Sequence, residues 1–164
     1  MFEITKIKSE EGSEAAAFIL SQFEKFIFAD YTEEGKASVR GYVTAESLVA
    51  NDADNFAVVA RLQGALVGVA KVKRKNHLSM LFVAAHCQGR GFGKQLVETS
   101  VAECKSRHPD VTHMTANSSR VGLPFFRSRG FRPTADEQEV HGVRFAPVTL
   151  ELAARPRHPG AGVI

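Results

Sequence analysis

The chain has 164 residues, of which 44% are hydrophobic and 24% charged, and its formal net charge is +3. This length and composition are typical of one compact globular domain. No apolar run approaches the roughly 20 residues that cross a bilayer, and Met1 to Ser9 lacks the apolar segment of a signal peptide, so we expect no membrane partner and a cytoplasmic protein.

The 21 basic residues are spread along the chain, whereas nucleic-acid binders usually concentrate such charge on one face. The one dense basic run comprises Lys71, Lys73, Arg74 and Lys75. We interpret it as the solvated end of a hairpin, so we expect no nucleic-acid partner and favour a phosphorylated small molecule as the anionic partner. Cys87 and Cys104 have no CxxC spacing, and no His/Cys cluster has the spacing of metal ligands. We therefore expect two reduced thiols and no metal.

The first part of the chain predicts one strand followed by two helices. Phe2 to Ile7 has the alternation of a strand, and a helix is predicted from Ser13 because apolar residues then recur at helical spacing. These residues are Ala15, Ile19, Phe23, Phe26 and Ile27. A second helix is predicted after Thr32, an N-cap candidate that is followed by two glutamates near the positive end of the helix dipole. A further turn is expected at Leu48 and Val49.

The pattern then changes to that of strands. Phe56 to Leu62 and Leu66 to Lys73 are two strand-like runs separated by Gln63-Gly64-Ala65, which indicates a hairpin. Leu78 to Val83 is a third run, reached through a turn at Lys75-Asn76. A glycine-rich loop follows and leads into a helix. One face of that helix carries Phe92, Leu96, Val97, Val101 and Cys104.

The last part of the chain predicts three strands and one short helix. The strands are Val111 to Ala116, Phe131 to Val140 and Val143 to Leu152. The helix lies between the first two of them, with Pro124 in its first turn and Gly130 at the C′ position. The order β-α-α-β-β-β-α-β-α-β-β predicts an α+β, mixed-sheet domain over residues 1–152, and residues 153–164 are expected to form a disordered tail.

The loop between the third strand of the middle group and the helix contains Gly89, Gly91 and Gly93, flanked by Arg90 and Lys94. Glycine lets backbone amides approach an anion without an intervening Cβ, and the N-terminus of a helix adds unsatisfied N–H groups and positive partial charge. The loop therefore predicts a phosphate site. A tight turn that binds no ligand is the alternative interpretation, and the density of glycines disfavours it.

The spacing of the glycines limits which phosphate ligand fits. A P-loop requires G-x-x-x-x-G-K-[ST], whereas Gly89 to Lys94 is one residue short and Gln95 stands where the magnesium-binding hydroxyl belongs. A dinucleotide fingerprint requires G-x-G-x-x-G at the start of a βαβ unit, and the spacing here is G-x-G-x-G after several strands. A nicotinamide-dependent oxidoreductase is therefore the less favoured interpretation of the loop.

Two motifs resemble those of the GNAT acetyltransferases. Gln88-x-x-Gly91-x-Gly93 matches the family signature Q/R-x-x-G-x-G/A and follows a hydrophobic strand. Asn117-Ser118-Ser119, followed by a short helix and Gly130-Phe131, resembles the family's second motif, which ends in x-G-F before the final strands. The resemblance extends from about Phe2 to Leu152. It implies a mixed, mostly antiparallel central sheet of about seven strands, flanked by about four helices.

The resemblance also implies acetyl-CoA as co-substrate and N-acetyltransferase activity by direct attack of an amine on the thioester, without an acyl-enzyme at Cys87. The strand before the loop would splay from its neighbour and pair with the pantetheine arm, and loop amides would hold the pyrophosphate. A strand amide near Phe82 would stabilise the oxyanion. The residues that the resemblance assigns to the cofactor are Leu81, Phe82, Val83, Gln88, Gly89, Arg90, Gly91, Phe92, Gly93, Lys94, Asn117, Ser119, Phe125 and Phe126.

The catalytic groups are less completely specified. Many family members carry a tyrosine as general acid at the position that matches Phe126, and a phenyl ring cannot donate a proton. Water, Ser118, Ser119 or no acid at all would then serve the leaving thiolate. We predict His77 as general base, with a pKa near ~6.5 and on the same strand face as Ser79, Leu81 and Val83. His113 is the competing candidate.

The acceptor is predicted to be a primary amine of a small molecule or peptide, enclosed by the two N-terminal helices and the final hairpin. An amino acid, a polyamine, an aminosugar and a peptide N-terminus all remain open, and so does a homodimer. Asp30 and Tyr31 are candidates for this side of the site, whereas Phe26 is expected in the core. The alternative functions are a CoA-binding module without turnover and, less favoured, the nicotinamide-dependent oxidoreductase.

Overall fold

The computed structural model describes residues 1–153, and within that range the chain forms eight strands and five α-helices. The strands are β1 (Phe2–Lys6), β2 (Phe56–Leu62), β3 (Ala65–Lys73), β4 (His77–Val83), β5 (His113–Ser118), β6 (Arg132–Pro133), β7 (Gln138–Val140) and β8 (Val143–Glu151). The helices are α1 (Gly12–Phe26), α2 (Glu33–Tyr42), α3 (Ala45–Val49), α4 (Phe92–Arg107) and α5 (Leu123–Ser128). Apart from Ala153, the predicted disordered tail lies outside the described residues.

One mixed sheet organises the chain, with strand order β1-β2-β3-β4-β5-β8-β6 and with β7 paired to β8. Only the β4–β5 pair is parallel among the pairs that the described residues form. The predicted mixed, mostly antiparallel α+β fold is therefore confirmed. The single strand predicted from Phe131 to Val140 is wrong, because it is divided into β6 and β7. Past β6 one more amide, that of Thr134, donates to β8, at the Pro147 carbonyl at 3.0 Å, and β7 begins only at Gln138.

The buried core has two parts, one on each face of the sheet, because successive strand residues point to opposite faces. Val58 and Ala60 pack toward α4, whereas Val59 packs toward α1, α2 and α3. We call these the α4 face and the α1 face. The expected core position of Phe26 is wrong: Phe26 is exposed and Phe28 is buried instead, because α1 ends at Phe26 and a 3₁₀ turn follows.

Helix α2 is fixed against the turn between β7 and β8. Its predicted N-cap is confirmed, since the Gly35 amide donates to Thr32 Oγ1 at 3.2 Å. The Thr32 amide in turn donates to the Gly142 carbonyl at 3.2 Å. A Cβ added at Gly35 would overlap that same carbonyl, so the helix and the turn meet backbone to backbone. This contact holds α2 over the α1 face beside the open part of the sheet.

None of the described helices combines the length and apolar character needed to cross a membrane. Residues 1–153 also contain no group of three His, Cys, Asp or Glu side chains that could hold a metal ion. Both cysteines are free and buried, and burial raises the pKa of Cys104 to about 11.

Candidate active site

The parallel strands β4 and β5 separate soon after they meet. Their described pairing consists of His77 with Thr115 and Leu78 with Ala116. Beyond these pairs β4 continues to Val83 and β5 to Ser118, so both strands leave an edge that faces the other across an opening. An opening inside a sheet exposes backbone donors and acceptors that an extended ligand can pair with.

The direction of the β4 amides follows from its pairing with β3. The Ala84 amide donates to the Val67 carbonyl on that side at 2.8 Å. Because backbone groups alternate between the two sides of a strand, the amides of Phe82 and Met80 also point toward β3. The amides of Leu81 and Val83 then point into the opening. The Val83 carbonyl there accepts a hydrogen bond from Gln88 Nε2 at 3.2 Å, which ties the following loop to the strand.

The loop at the end of the opening has the geometry of an anion cradle. Gly89 and Gly91 have φ angles of +77° and +84°, and a Cβ added to either would meet nothing within 4 Å. Helix α4 begins at Phe92 with Gly91 as N-cap and without a side-chain cap, so its first amides face open space. The residues therefore fit a phosphate group, because a loop of glycines without Cβ atoms precedes the unsatisfied N–H groups at a helix start.

Gly93 is small for a different reason. A Cβ at this position would come within 3.0 Å of the Phe125 ring, so the glycine lets α4 pack closely on α5. Phe125 acts here as a packing residue behind the loop. The Arg90 guanidinium lies 5.3 Å from the centre of the Phe92 ring, and Lys94 Nζ lies 4.0 Å from Glu98 Oε1. Both side chains are held beside the cradle and add positive charge to it.

Helix α5 ends in a motif that orients Phe126. The Phe131 amide donates to the Phe126 carbonyl at 3.0 Å, and the Gly130 amide donates to the Arg127 carbonyl at 3.1 Å. With Gly130 at φ +92°, this is a Schellman ending, and the Phe126 and Phe131 rings pack edge to face at 5.0 Å. The predicted helix end is confirmed. Phe126 is thus buried, yet its ring also lines the cavity at the opening.

A cavity of about 180 Å³ lies at the opening between β4 and β5 and extends over the α1 face. Its polar lining combines side chains from four segments of the chain. These are Tyr31, Tyr42, Lys73, His77, Ser79, Asn117 and Ser119. The cavity therefore brings together four of the candidate site residues, Asn117, Ser119, Phe126 and His77, with Tyr31 from the loop between α1 and α2.

The family of the chain follows from a sequence comparison. A family model described as an acetyltransferase (GNAT) domain matches residues 27–152, which is more than half of the chain. The chain belongs to the GNAT acetyltransferase family. This family uses acetyl-CoA as acetyl donor. Among curated proteins the search found no match.

Solved structures of GNAT proteins share the fold. A GCN5-related N-acetyltransferase from Rhodopseudomonas palustris has 23% sequence identity and a TM-score of 0.75, over 92% of this chain and 95% of that chain. PaiA N-acetyltransferase from Thermoplasma acidophilum, crystallised in complex with coenzyme A, has 19% identity and a TM-score of 0.71, over 93% and 99%. A GNAT-family acetyltransferase from Streptococcus pneumoniae has 10% identity and a TM-score of 0.65, over 93% and 100%.

The strand face predicted for His77 in this GNAT domain is wrong. On the β3–β4 ladder Lys71 pairs with Met80 and Val72 with Leu78, so Ser79 is an extra, bulged residue. Leu78 consequently packs into the α4-face core together with Leu81 and Val83. His77 points the other way, to the α1 face, where it lines the cavity with Met80 and Phe82.

The titration expected for His77 also differs from the prediction. Burial lowers the pKa of His77 from its usual value of 6.5 to about 4, and the charges of Arg74 and Lys73 lower it further in the same direction. Its Nδ1 lies 2.8 Å from Thr115 Oγ1. The imidazole is therefore neutral and fixed in position at neutral pH. The competing candidate His113 is exposed, with Nδ1 3.1 Å from Thr112 Oγ1, and does not line the cavity.

Two polar residues of the cavity, Lys73 and Tyr42, were missed by sequence reasoning. Lys73 lies opposite His77 on the β3–β4 ladder, and its Nζ is 5.8 Å from the centre of the Tyr42 ring. The signal that could have found Lys73 is the turn at Arg74, because aligning β3 and β4 on that turn places Lys73 beside His77. The interpretation of the basic run as a solvated hairpin end fails for Lys71 as well, which is buried with Nζ 3.4 Å from the Ala50 carbonyl.

The other acceptor-side candidates differ in position. Tyr31 lines the cavity, and burial raises its pKa to about 12, with the charges of Tyr42 and Asp30 acting in the same direction. Its hydroxyl therefore stays protonated and can donate. The Asp30 carboxylate lies at the rim instead, 3.8 Å from Arg120, and Arg120 also pairs with Glu137 at 2.8 Å.

Proposed function

We propose that this GNAT protein transfers the acetyl group of acetyl-CoA to a primary amine by direct attack of the amine on the thioester. The observation that carries the proposal is that the free edge of β4 leads to the glycine loop at one end and lines the cavity with Leu81. Such an arrangement fits a donor that is extended and anionic at one end and reactive at the other.

The donor would be held by backbone groups. The amides that follow Gly89 and Gly91 would take the pyrophosphate at the start of α4, and the Leu81 carbonyl and Val83 amide would pair with the pantetheine arm. Phe92 supports the loop from below, since its ring stacks on Phe2 with centroids 4.2 Å apart. A loop that is packed in this way needs little reorganisation to bind a ligand.

The oxyanion that forms on attack requires a fixed donor. We assign this role to the Leu81 amide, because it points into the opening, whereas the Phe82 amide points toward β3. A preorganised amide in a site shielded from water stabilises developing negative charge effectively.

Proton supply to the leaving thiolate has two candidates in the chain. Ser118 Oγ is buried and already donates to the Ser119 carbonyl at 2.8 Å, which leaves it no proton for the thiolate. Ser119 Oγ accepts from the Gly122 amide at 3.0 Å, so its own proton stays available, and the residue lines the cavity. We therefore favour Ser119 or water. A thiol with a pKa near ~8.5 leaves adequately without strong acid assistance.

Removal of the ammonium proton is assigned to His77, through water. With a pKa of about 4 the imidazole is neutral and able to accept a proton at neutral pH, but it is a weaker base than an ordinary histidine. It would therefore pass the proton on to solvent rather than retain it. Lys73 and Arg74, which lower the pKa of His77, also favour a free amine over an ammonium ion in the same cavity.

The deciding experiment measures binding and turnover on the same preparation. Thermal unfolding is followed with CoA, acetyl-CoA and NADH, and thiol release from acetyl-CoA is followed with a panel of primary amines. We expect stabilisation by both CoA ligands and thiol release with at least one amine. CoA binding without turnover on any amine would indicate a CoA-binding module, the alternative suggested by Phe126 at the position where many family members have a tyrosine. Stabilisation by NADH alone would overturn the proposal.

A further inference from the structure

The end of the cavity that lies away from the glycine loop carries positive charge. Lys73 and His77 face each other across the β3–β4 ladder on the α1 face, and the Lys73 ammonium lies over the Tyr42 ring. Tyr31 supplies a hydroxyl that stays protonated on the same side. We call Lys73, His77, Tyr31 and Tyr42 the anion pocket.

The ammonium of Lys73 is half-buried and has no carboxylate within ion-pair distance among residues 1–153. The part of the chain that the structure describes contributes no Asp or Glu to the lining of the cavity. Asp30, on the loop between α1 and α2, does not pair with Lys73, because its carboxylate lies 3.8 Å from the Arg120 guanidinium. Removing a charge from water without a partner is unfavourable, so this arrangement favours a ligand that brings the opposite charge.

We propose that the acceptor is a small amine that also bears a carboxylate or another compact anion, and that Lys73 pairs with this anion while the amine points toward Leu81. This inference rests on the proposed acetyl transfer and narrows its substrate class. Among the acceptors that the sequence left open, this inference favours amino acids and disfavours polyamines, since additional ammonium groups would meet the Lys73 ammonium. The phenolic hydroxyls of the anion pocket can donate to the same anion.

The size of the cavity agrees with a small acceptor. Its volume of about 180 Å³ is below the roughly 300–1,000 Å³ of ordinary ligand pockets. The acetyl end of the donor and the amine must share this space, so the bulk of a large acceptor would have to stay outside.

The first test compares matched acceptors on the unmodified protein. ω-Amino acids with two to five methylene groups are compared with amino alcohols and diamines of equal length, and with aminoalkyl phosphonates to separate carboxylate from phosphorus anions. We expect KM to be lowest for an anionic member of the set, by about 10-fold or more, which is the size of a hydrogen bond to a charged group. A preference for diamines, or equal KM across the set, would overturn the inference.

The second test removes the charge of Lys73. Lys73→Met keeps the aliphatic stem, and Lys75→Met is the matched control, because Lys75 is an exposed lysine in the same hairpin. Lys73→Met should raise KM for the anionic acceptor about 10-fold or more relative to KM for the amino alcohol, because both acceptors sense the changed charge near His77 but only the anionic one loses an ion pair. Lys73→Glu should shift the preference toward the diamine. Equal effects on charged and neutral acceptors would indicate a merely structural role.

Failure of this inference can be separated from failure of the proposed function. The same acceptor set is titrated by calorimetry into protein saturated with CoA, which reports binding without turnover. Binding of anionic amines that Lys73→Met abolishes would support the anion pocket even if no acetylation occurred. If no anionic amine binds but neutral amines are acetylated, the function stands and the anion pocket is refuted.

Discussion

The phosphate cradle can be tested by substituting Gly91 with valine and comparing the variant with Gly64→Val. The two glycines have φ angles of +84° and +83°, and at neither position would an added Cβ meet another atom within 4 Å. Gly64 lies in the β2–β3 turn, whereas Gly91 is the N-cap of α4. The pair therefore separates the cost of a left-handed valine from the loss of a ligand site.

The expected magnitudes follow from this geometry. A non-glycine residue in the left-handed region costs about 1–2 kcal/mol, and the shape of valine adds to that cost, so both variants should unfold more easily by similar amounts. For a chain of this length each kcal/mol lowers Tm by roughly 2–4 °C. Only Gly91→Val should also lose CoA affinity. A loss of at least 100-fold, about 2.7 kcal/mol, is expected because the side chain covers the amides that would bind phosphate.

Calorimetric titration with CoA, beside chemical denaturation of both variants, measures the two effects separately. If Gly91→Val binds CoA as well as Gly64→Val does, the pyrophosphate is bound elsewhere and the assignment of the loop is refuted. If both variants lose CoA affinity equally, the loss comes from general destabilisation and not from the cradle.

Three further predictions concern α2, α5 and β4. Gly35→Ala should destabilise the fold by about 1–3 kcal/mol, because the added Cβ would overlap the Gly142 carbonyl. Gly41 lies in the same helix with open space around it, so Gly41→Ala should stabilise the fold by about 0.5–1 kcal/mol. Urea unfolding measures both free energies. Phe126→Tyr should keep the fold and increase turnover with poor leaving thiols, and loss of the native circular dichroism spectrum would show that the ring tolerates no hydroxyl. His77→Gln should lower turnover about 10²-fold or more at neutral pH, and turnover of the variant should partly recover at high pH. The affinity for CoA should stay unchanged. His77→Gln should also flatten the pH dependence of the free energy of unfolding. The pKa of His77 is about 4 in the folded protein and 6.5 in the unfolded chain, so its contribution to the parent is complete above pH 6.5. As the pH falls toward 4, the parent's free energy of unfolding decreases by up to about 3 kcal/mol.

Those parts of the fold and site that depend on local signals could be predicted from the sequence. The ending of α5 is one example, because Gly130 and Phe131 determine the cap within a few residues of the helix. The glycine loop is another, since a strand, three closely spaced glycines and a helix start are all readable along the chain. Thr32 was likewise found as an N-cap from its side chain and the acidic residues that follow it.

Features that arise from pairing between distant segments could not be predicted in this way. Helical periodicity placed Phe26 in the core, but α1 stops there and the following 3₁₀ turn buries Phe28 instead. The bulge at Ser79 is visible only when β4 is aligned with β3, and a single extra residue reverses the face of everything before it. Lys73 was missed for the same reason, because its position beside His77 is a property of the ladder.

The bulge at Ser79 also explains how one strand can serve both halves of the proposed site. After the bulge, Leu81 and Val83 direct their amides into the opening beside β5, and their side chains pack on the α4 face next to the glycine loop. Before it, His77 faces the α1 face together with Lys73. A regular strand would have turned His77 into the α4-face core, away from Tyr31 and the anion pocket. The irregularity in β4 therefore places the donor-binding edge and the acceptor-side groups on one continuous segment of seven residues.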